Sequence, residues 1–569
     1  MNSIKKHYKL LLYTLFFLSI FNLANTKNFD KYAKADKVSN YLSGVLHLQN
    51  NNYLSSYKKL KQLEGLEDNH YIYSKFYQYT LINLEKFEEA YKYSKKLKRK
   101  NINSFESDLI TGVFYLKNKN FDLASKSFKR LEKNTNQNPI KKLLSQNLAN
   151  WTSLKKTNNH KDALELILSK PTEFKNFNKI QEAFIHCYYQ TSEVENIFEK
   201  LIADTKSDFS RYSFFYSNYL YKTGKIEKAE NIIKKSKNQE NKNLILNQLS
   251  LDIQKKKYEN FSNKFECDNL SDVIAEFLYV MANVSSSNSM FSTSNFYLNL
   301  AKYLNPNFVS FERLFAENLY SINDLESAKK LYKKIRKKGY FYNWYSAKKI
   351  SQIFLRQEKQ NEALNYLGRV FNDIKNPNIL EIYEYAYFLK NNKNYKESIK
   401  YYTKVLNLID NKHKLYPLST DGRGISYERI GNWDMAEKDF LNSLSASPDQ
   451  AYVINYLAYS WIEKGINVDK SLKMLKKAND LKKDDAYIID SLGWALFKLK
   501  KYEEANKYLN LAVIYLPTDP VISDHYADSL WMNKQPLQAR YYWNYVLSLK
   551  QTDSKLKEKI KKKIIFGLG

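Results

Sequence analysis

From residue 417 onward, small side chains return every 34 or 35 residues. Gly424, Ala458, Gly493 and Ala527 form one such series, at spacings of 34, 35 and 34. Ala436, Ser471, Ala505 and Ala539 form a second, at 35, 34 and 34. Ser443, Ala478, Ala512 and the larger Val546 form a third. Pro448 and Pro517 close two of the four units, with Lys483 and Gln551 at the matching places in the others. The first unit shows the whole pattern: Gly424, Tyr427, Gly431, Ala436, Phe440, Ser443 and Pro448. Small residues in phase let two antiparallel helices approach closely, and large residues between them fill the neighbouring grooves. Proline ends the second helix and starts the next connection.

These positions resemble the tetratricopeptide repeat family, whose unit is about 34 residues of helix–turn–helix. Upstream the pattern continues with lower fidelity. Ser56, Ala90 and Ala124 are 34 apart, and the last of these units also carries Gly112, Tyr115 and Phe128. Further anchors are Ala163, Gly224 with Ala229, Ala301 with Pro306, Ala328, Ala363 and the pair Ala386/Ser398. The expected fold is therefore all-α, a tetratricopeptide-like solenoid of about twelve to fourteen helical hairpins. The resemblance implies a right-handed superhelix whose concave face is lined by the first helix of each hairpin. Composition agrees, because 13 Gly and 9 Pro in 569 residues supply too little turn chemistry for a β or doubly wound fold.

The expected organisation is a signal segment at 1–24, N-terminal repeats at 28–139, degenerate helical repeats at 140–269 and middle repeats at 270–410. The best-matched repeats occupy 417–551, and a basic capping helix follows at 553–569. The stretch Asn411 to Asp421 (NKHKLYPLSTD) reads as a lengthened loop and a candidate hinge. The degenerate middle is a second candidate.

The signal segment combines Lys5, Lys6 and Lys9 with an apolar run from Leu10 to Phe21, then Ala24 before a polar stretch. That three-part order is read by the export machinery, and the core is short for a membrane span. The alternatives are a buried helix or an uncleaved anchor. No Cys follows the apolar run, so lipidation at that point is not expected, and the expected location is the periplasm or cell envelope. The net charge of +31 invites nucleic acid as a partner, but only ten of the 91 basic residues are Arg. Nucleic-acid readers favour Arg for bidentate and stacking contacts, so no nucleic-acid partner is expected. Cys187 and Cys267, 80 residues apart, read as buried small apolar residues rather than a disulfide framework.

The chain offers little for catalysis. Its seven His have no ligand spacing, and His186-Cys187, as helix neighbours, point apart. Glu88-Glu89, Asp484-Asp485 and Glu503-Glu504 fall at helix starts, where they offset the helix dipole. The expectation is a protein that is not an enzyme and uses no cofactor or metal. Recognition then falls to the first helices of the last repeats. Asn455, Asp490 and Asp524 are equivalent, at spacings of 35 and 34, and would form a polar ladder. Tyr452, Tyr487, Tyr459, Trp494, Asp528 and Trp531 share that side. Polar groups flanked by rings suit an extended peptide. The other reading is that the ladder only braces neighbouring helices. In the tail, Leu556, Ile560 and Ile564 recur every four residues among five Lys, the pattern of a terminal cap or of a weak membrane-surface contact.

The segment DSLGWALFKLKKYEEANKYLNLAVIYLPTDPVISDHYADSLW resembles exported bacterial repeat proteins. Among them is the lipoprotein adaptor of the periplasmic carboxyl-terminal processing protease. The resemblance implies a non-enzymatic envelope scaffold that binds proteins or peptides, with a protease or cell-wall hydrolase as partner. Cell-wall or polysaccharide binding and export is the alternative.

Overall fold

The computed structural model describes residues 35–68, 70–134, 138–154, 159–168, 175–237, 243–259 and 264–568. The signal segment and the first residues assigned to repeats lie outside these. Among the described residues there are 30 α-helices and no strand. None of the helices is long and apolar enough to cross a membrane. The chain divides into two compact units, Met1–Lys359 and Gln360–Gly569. The division falls after Lys359, not in the stretch around residue 411. Part of that stretch is not loop at all, because the helix Leu415–Arg429 starts within it. Pro417 sits in its first turn, where a missing N–H costs nothing.

The four hairpins from Leu415 to Ser548 are pinned by the same contact. A Cβ added at Gly424 would come within 2.8 Å of the Phe440 ring, and one at Gly493 within 2.7 Å of Leu509. Ala436, Ala458, Ser471, Ala478, Ala505, Ala512, Ala527 and Ala539 are fully buried at the other crossings. Tyr427 packs beside Phe440, while Pro448 and Pro517 follow the helices Trp433–Ala446 and Tyr502–Tyr515. The turn inside the hairpin also repeats. One residue with positive φ recurs at Glu85, Lys119, Ser289, Asn323, Glu358, Lys393, Gly431, Gly465, Lys500 and Lys534.

Unit 1 folds back on its own early repeats. The helix Phe291–Leu304 packs on Tyr71–Asn83 and Phe105–Lys117. Tyr79 stacks on Phe296 with ring centroids 4.3 Å apart, and Phe87 stacks on Tyr303 at 4.3 Å. Asn299 donates to Asn83 at 3.1 Å and Asn295 to Tyr53 at 3.2 Å. The preceding helix, Leu270–Ser287, inserts Phe277 among Trp151, Phe177 and Phe184. Its Glu276 takes a bidentate pair from Arg211, both bonds 2.7 Å, with Arg211 also donating to Ser310 and lying over Tyr279. The first helices that the family resemblance assigns to a groove are thus covered here by later helices of the same unit.

Cys187 and Cys267 are bonded to each other, with Cα atoms 5.8 Å apart. This corrects the sequence reading of two unlinked apolar residues. The chain's return brings the segment before Leu270 against the helix Lys175–Tyr188, a proximity that a separation of 80 residues does not reveal. Reduction should lower the stability of unit 1 by about 2–4 kcal/mol, the usual range for a disulfide closing a long loop. Thermal melting with and without reductant checks this. Cys187→Ala with Cys267→Ala should reproduce the reduced transition, and unit 2 should melt unchanged.

Candidate functional site

In unit 2 five consecutive first helices present equivalent positions: Ile379–Asn391, Leu415–Arg429, Ala451–Lys464, Ala486–Lys498 and Pro520–Met532. Their starts are set locally. Asn378 and Glu381 close a capping box. Asp485 and Asp519 each accept from two backbone N–H groups as N-caps, which satisfies donors the helix cannot. Six residues before each small packing residue stand Leu380, Leu418, Tyr452, Tyr487 and Val521, with exposures of 51, 46, 56, 56 and 46%. The two tyrosines also tie repeats together. Tyr452 donates to Asp485 at 3.0 Å, and Tyr487 to Asp519 at 3.4 Å. Lys482 lies 4.4 Å from the Tyr452 ring centre and donates to its hydroxyl.

One turn further along, the column reads Tyr383, Asp421, Asn455, Asp490 and Asp524. Its C-terminal members are buried and bonded within the protein. Asp490 is met by His525 Nδ1 at 3.0 Å, and His525 stacks on Trp494 with centroids 3.9 Å apart. Trp494 donates to Glu463 at 2.6 Å. Asp524 and Asp528 share Lys563, which reaches them at 2.5 and 2.6 Å from the terminal helix Ser554–Phe566. Trp543 donates to Asp528 at 3.0 Å. Trp531 is half-buried beside Trp543 and Arg540. The tail is therefore a docked cap whose lysine enters the ladder.

Its N-terminal members are half-buried and differently placed. Tyr456 stands where His525 stands one pair of repeats later, but its hydroxyl donates to Glu428 at 2.9 Å. Ser491 turns to the carbonyl of Tyr487 in its own helix. The Asn455 Oδ1 is buried without a hydrogen-bond partner, and Tyr459 is half-buried beside it on the next turn. Burial pushes the Asp421 carboxyl up to about 6 against the opposing pull of Lys390.

Burial divides the nine groove residues foreseen from sequence. Tyr452 and Tyr487 are exposed, Asn455, Tyr459 and Trp531 are half-buried, and Asp490, Trp494, Asp524 and Asp528 are inside. Sequence reading missed Leu380, Leu418, Tyr383, Asp421 and the pairing of His525. A count of 34 back from Asn455 reaches Asp421. Elsewhere, His186 hydrogen-bonds Thr191 at 2.7 Å and Cys187 is disulfide-bonded, so the pair has no nucleophile. Glu88, Glu89, Glu503 and Glu504 lie in first turns of helices. Among the described residues no group of three metal-ligating side chains converges.

The tetratricopeptide repeat family profile matches residues 301–552. The helical hairpins of this stretch are thus tetratricopeptide-like. The chain is also 29% identical over 126 residues to a TPR repeat-containing protein of Pseudomonas aeruginosa, covering 22% of this chain and 20% of that one. It is 25% identical over 267 residues to a TPR repeat-containing protein of Methanocaldococcus jannaschii, covering 43% and 45%. The matches thus span less than half the length of either relative. Among solved structures, the APC/C hetero-tetramer Cut9–Hcn1 is similar at 15% identity, covering 93% of this chain and 97% of that one, with a TM-score of 0.35. Tetratricopeptide repeats are generally non-catalytic scaffolds for protein–protein interaction.

Two outcomes follow from the cap. Lys563→Met leaves Asp524 and Asp528 buried without their cation, a loss of about 3–5 kcal/mol for a broken buried pair, read by urea unfolding of unit 2. Adding Asp524→Asn and Asp528→Asn should recover part of it. For His525, burial pushes the imidazolium down, but Asp490, with Asp524 and Asp528, outweighs this and the net shift is up. A raised His value stabilises the fold below the ordinary pKa near 6.5 and loses that contribution as pH rises through the folded value. Burial and Asp524 raise Asp528 to about 6 against Lys563, and this acts in the same direction. His525→Gln should therefore lower the melting temperature more at pH 6 than at pH 9.

Proposed function

We propose that the protein is a non-enzymatic scaffold of the bacterial cell envelope that holds an extended peptide or protein segment along the first helices of unit 2. The observation that carries the reading is the row Leu380, Leu418, Tyr452, Tyr487 and Val521, five apolar or aromatic side chains at equivalent positions, each about half exposed. A row at one repeat spacing offers a partner regularly placed apolar contacts, and the adjoining polar column offers hydrogen bonds that fix its register. Unit 1 supports a division of labour. There the corresponding helices are packed against Leu270–Ser287 and Phe291–Leu304 and serve as core.

Export is supported by the arrangement of residues 1–24 and by the Cys187–Cys267 bond, since disulfides persist mainly in oxidising compartments. A periplasmic protease or a cell-wall hydrolase is the partner class that the exported-adaptor resemblance favours. The mutation pair suited to testing the groove is Tyr452→Ala with Tyr487→Ala. Asp490 and Trp494 are buried, and their loss would damage the fold.

A photo-crosslinker at position 452 in cells should give a discrete adduct, while one at the exposed Leu537 should not. The double tyrosine variant should reduce capture of that adduct's protein at least about tenfold, the scale of two lost aromatic contacts. Its melting temperature should stay within about 2 °C, as for surface changes. Unchanged capture rejects the row as the binding face.

A further inference from the structure

The column of unit 2 shows what its own acids accept. Asp490 is filled by His525 from the next first helix, and Asp524 by Lys563 from the cap. In both cases the partner is a basic side-chain nitrogen. The Asp421 carboxylate occupies the same position two repeats earlier and meets no hydrogen-bond donor among the described residues, because Tyr456 is engaged by Glu428. A second group beside it is also unpartnered. Tyr402 is fully buried, yet its hydroxyl has no hydrogen-bond partner. The end of its ring lies against Gly422, where a Cβ would collide with both Cζ and Oη. That contact sets the hydroxyl next to the Asp421 backbone, and the charge of Asp421 acts directly on Tyr402. Tyr383 meets the Tyr402 ring edge-on at 6.0 Å and stacks with Tyr387 at 6.4 Å. Lys390 is the cation whose charge acts on Asp421, and it lies over the Tyr387 ring, 5.0 Å from its centre.

We propose that Asp421, Tyr402, Tyr383 and Tyr387 form a notch for the ammonium or guanidinium of a lysine or arginine side chain in the extended peptide held by this face. The proposal rests on the reading of unit 2 as a peptide groove and specifies the chemistry of one residue of the peptide. A carboxylate supplies the counter-charge, and the rings offer electron-rich faces to a cation. The Tyr402 hydroxyl and the Asn455 Oδ1 are enclosed and unpartnered, so the side-chain movement that admits the cation lets each accept one N–H. A half-buried carboxylate without a donor costs stability and is normally satisfied inside a protein, so its retention fits a role in binding. Lys390 holds the place next to the notch and moves aside with a change of rotamer.

The test uses the full chain and a labelled nonapeptide with three lysines alternating with alanine, followed by fluorescence anisotropy. Norleucine and arginine versions of the peptide and free cadaverine are the companion probes. The lysine or arginine peptide should bind, the norleucine peptide should bind at least about tenfold more weakly, and cadaverine should compete poorly. Asp421→Asn should weaken the lysine peptide about tenfold or more, the scale of a lost charge-assisted hydrogen bond. Tyr402→Phe should weaken it less, and the exposed Asp434→Asn should leave it unchanged. Asp421→Asn should also melt at the same temperature as the parent or higher, because an unpaired carboxylate is relieved. A lower melting temperature would mean that Asp421 braces the fold, and the notch would be rejected. Equal binding of the norleucine peptide, equal binding by Asp421→Asn, or cadaverine competing as well as the peptide each overturns the proposal. If the lysine peptide is ignored while the crosslink from position 452 persists, the notch is wrong and the groove stands.

Discussion

Close approach of two helices at a residue with little or no side chain is the contact on which the four hairpins from Leu415 to Ser548 depend. Gly424 accepts the edge of Phe440 and Gly493 accepts Leu509. Ala458 and Ala527 serve the same place with a single methyl. Without that contact the second helix has nothing to seat on, and a pair of thirteen- or fourteen-residue helices is too short to hold itself in water. A hairpin also cannot bury its remaining apolar face alone, so each needs a neighbour. The stack follows from those two facts. The positive-φ residue in each turn is a cost the stack carries at Lys393, Lys500 and Lys534, where glycine is absent.

The same hairpin supports two outcomes, depending on what covers the first helices. In unit 1 the chain supplies the cover itself. Phe277 enters between Trp151, Phe177 and Phe184, and Phe296 lies on Tyr79. Arg211 is charged and half-buried, matched bidentately by Glu276 and surrounded by three rings. Among the described residues no such helices arrive in unit 2, where the terminal helix Ser554–Phe566 supplies cover at the end. The cap brings Lys563 to Asp524 and Asp528, while Asp421 and Asn455 remain without a matching donor. The first helices of unit 1 are therefore core, while part of those in unit 2 stays uncovered.

That division explains what the sequence displayed. The small residues from Gly424 to Ala539 were legible because a close crossing tolerates nothing larger, and their period gave the helical hairpins. The weak match between 140 and 270 has a physical cause. First helices buried on a second face carry Trp151, Phe184, Phe215 and Tyr216 in place of a polar groove surface, and the repeat pattern is overwritten. The covering helix lies roughly a hundred residues away, and local periodicity cannot report it. The Cys187–Cys267 bond was hidden for the same reason. In the candidate site Asp490 and Asp524 were visible by spacing, but their partners His525 and Lys563 were not assigned. Asp421 was missed because the segment before it contains Pro417, which reads as loop and is in fact the first turn of a helix.

The column also shows how one repeat position can change role without changing residue type. An aspartate beside His525 or Lys563 holds neighbouring helices together, and its charge is spent inside the protein. The same aspartate beside Tyr456 is left to the surroundings, because a phenol that donates to Glu428 cannot also donate to Asp421. The difference is one hydrogen bond made by the following helix. A lysine or histidine at position 456 would turn the proposed notch into another brace, whereas the tyrosine there donates to Glu428 instead. On the proposed reading, recognition in this array is set by which internal pairings the chain forgoes, against a hairpin backbone that recurs from repeat to repeat.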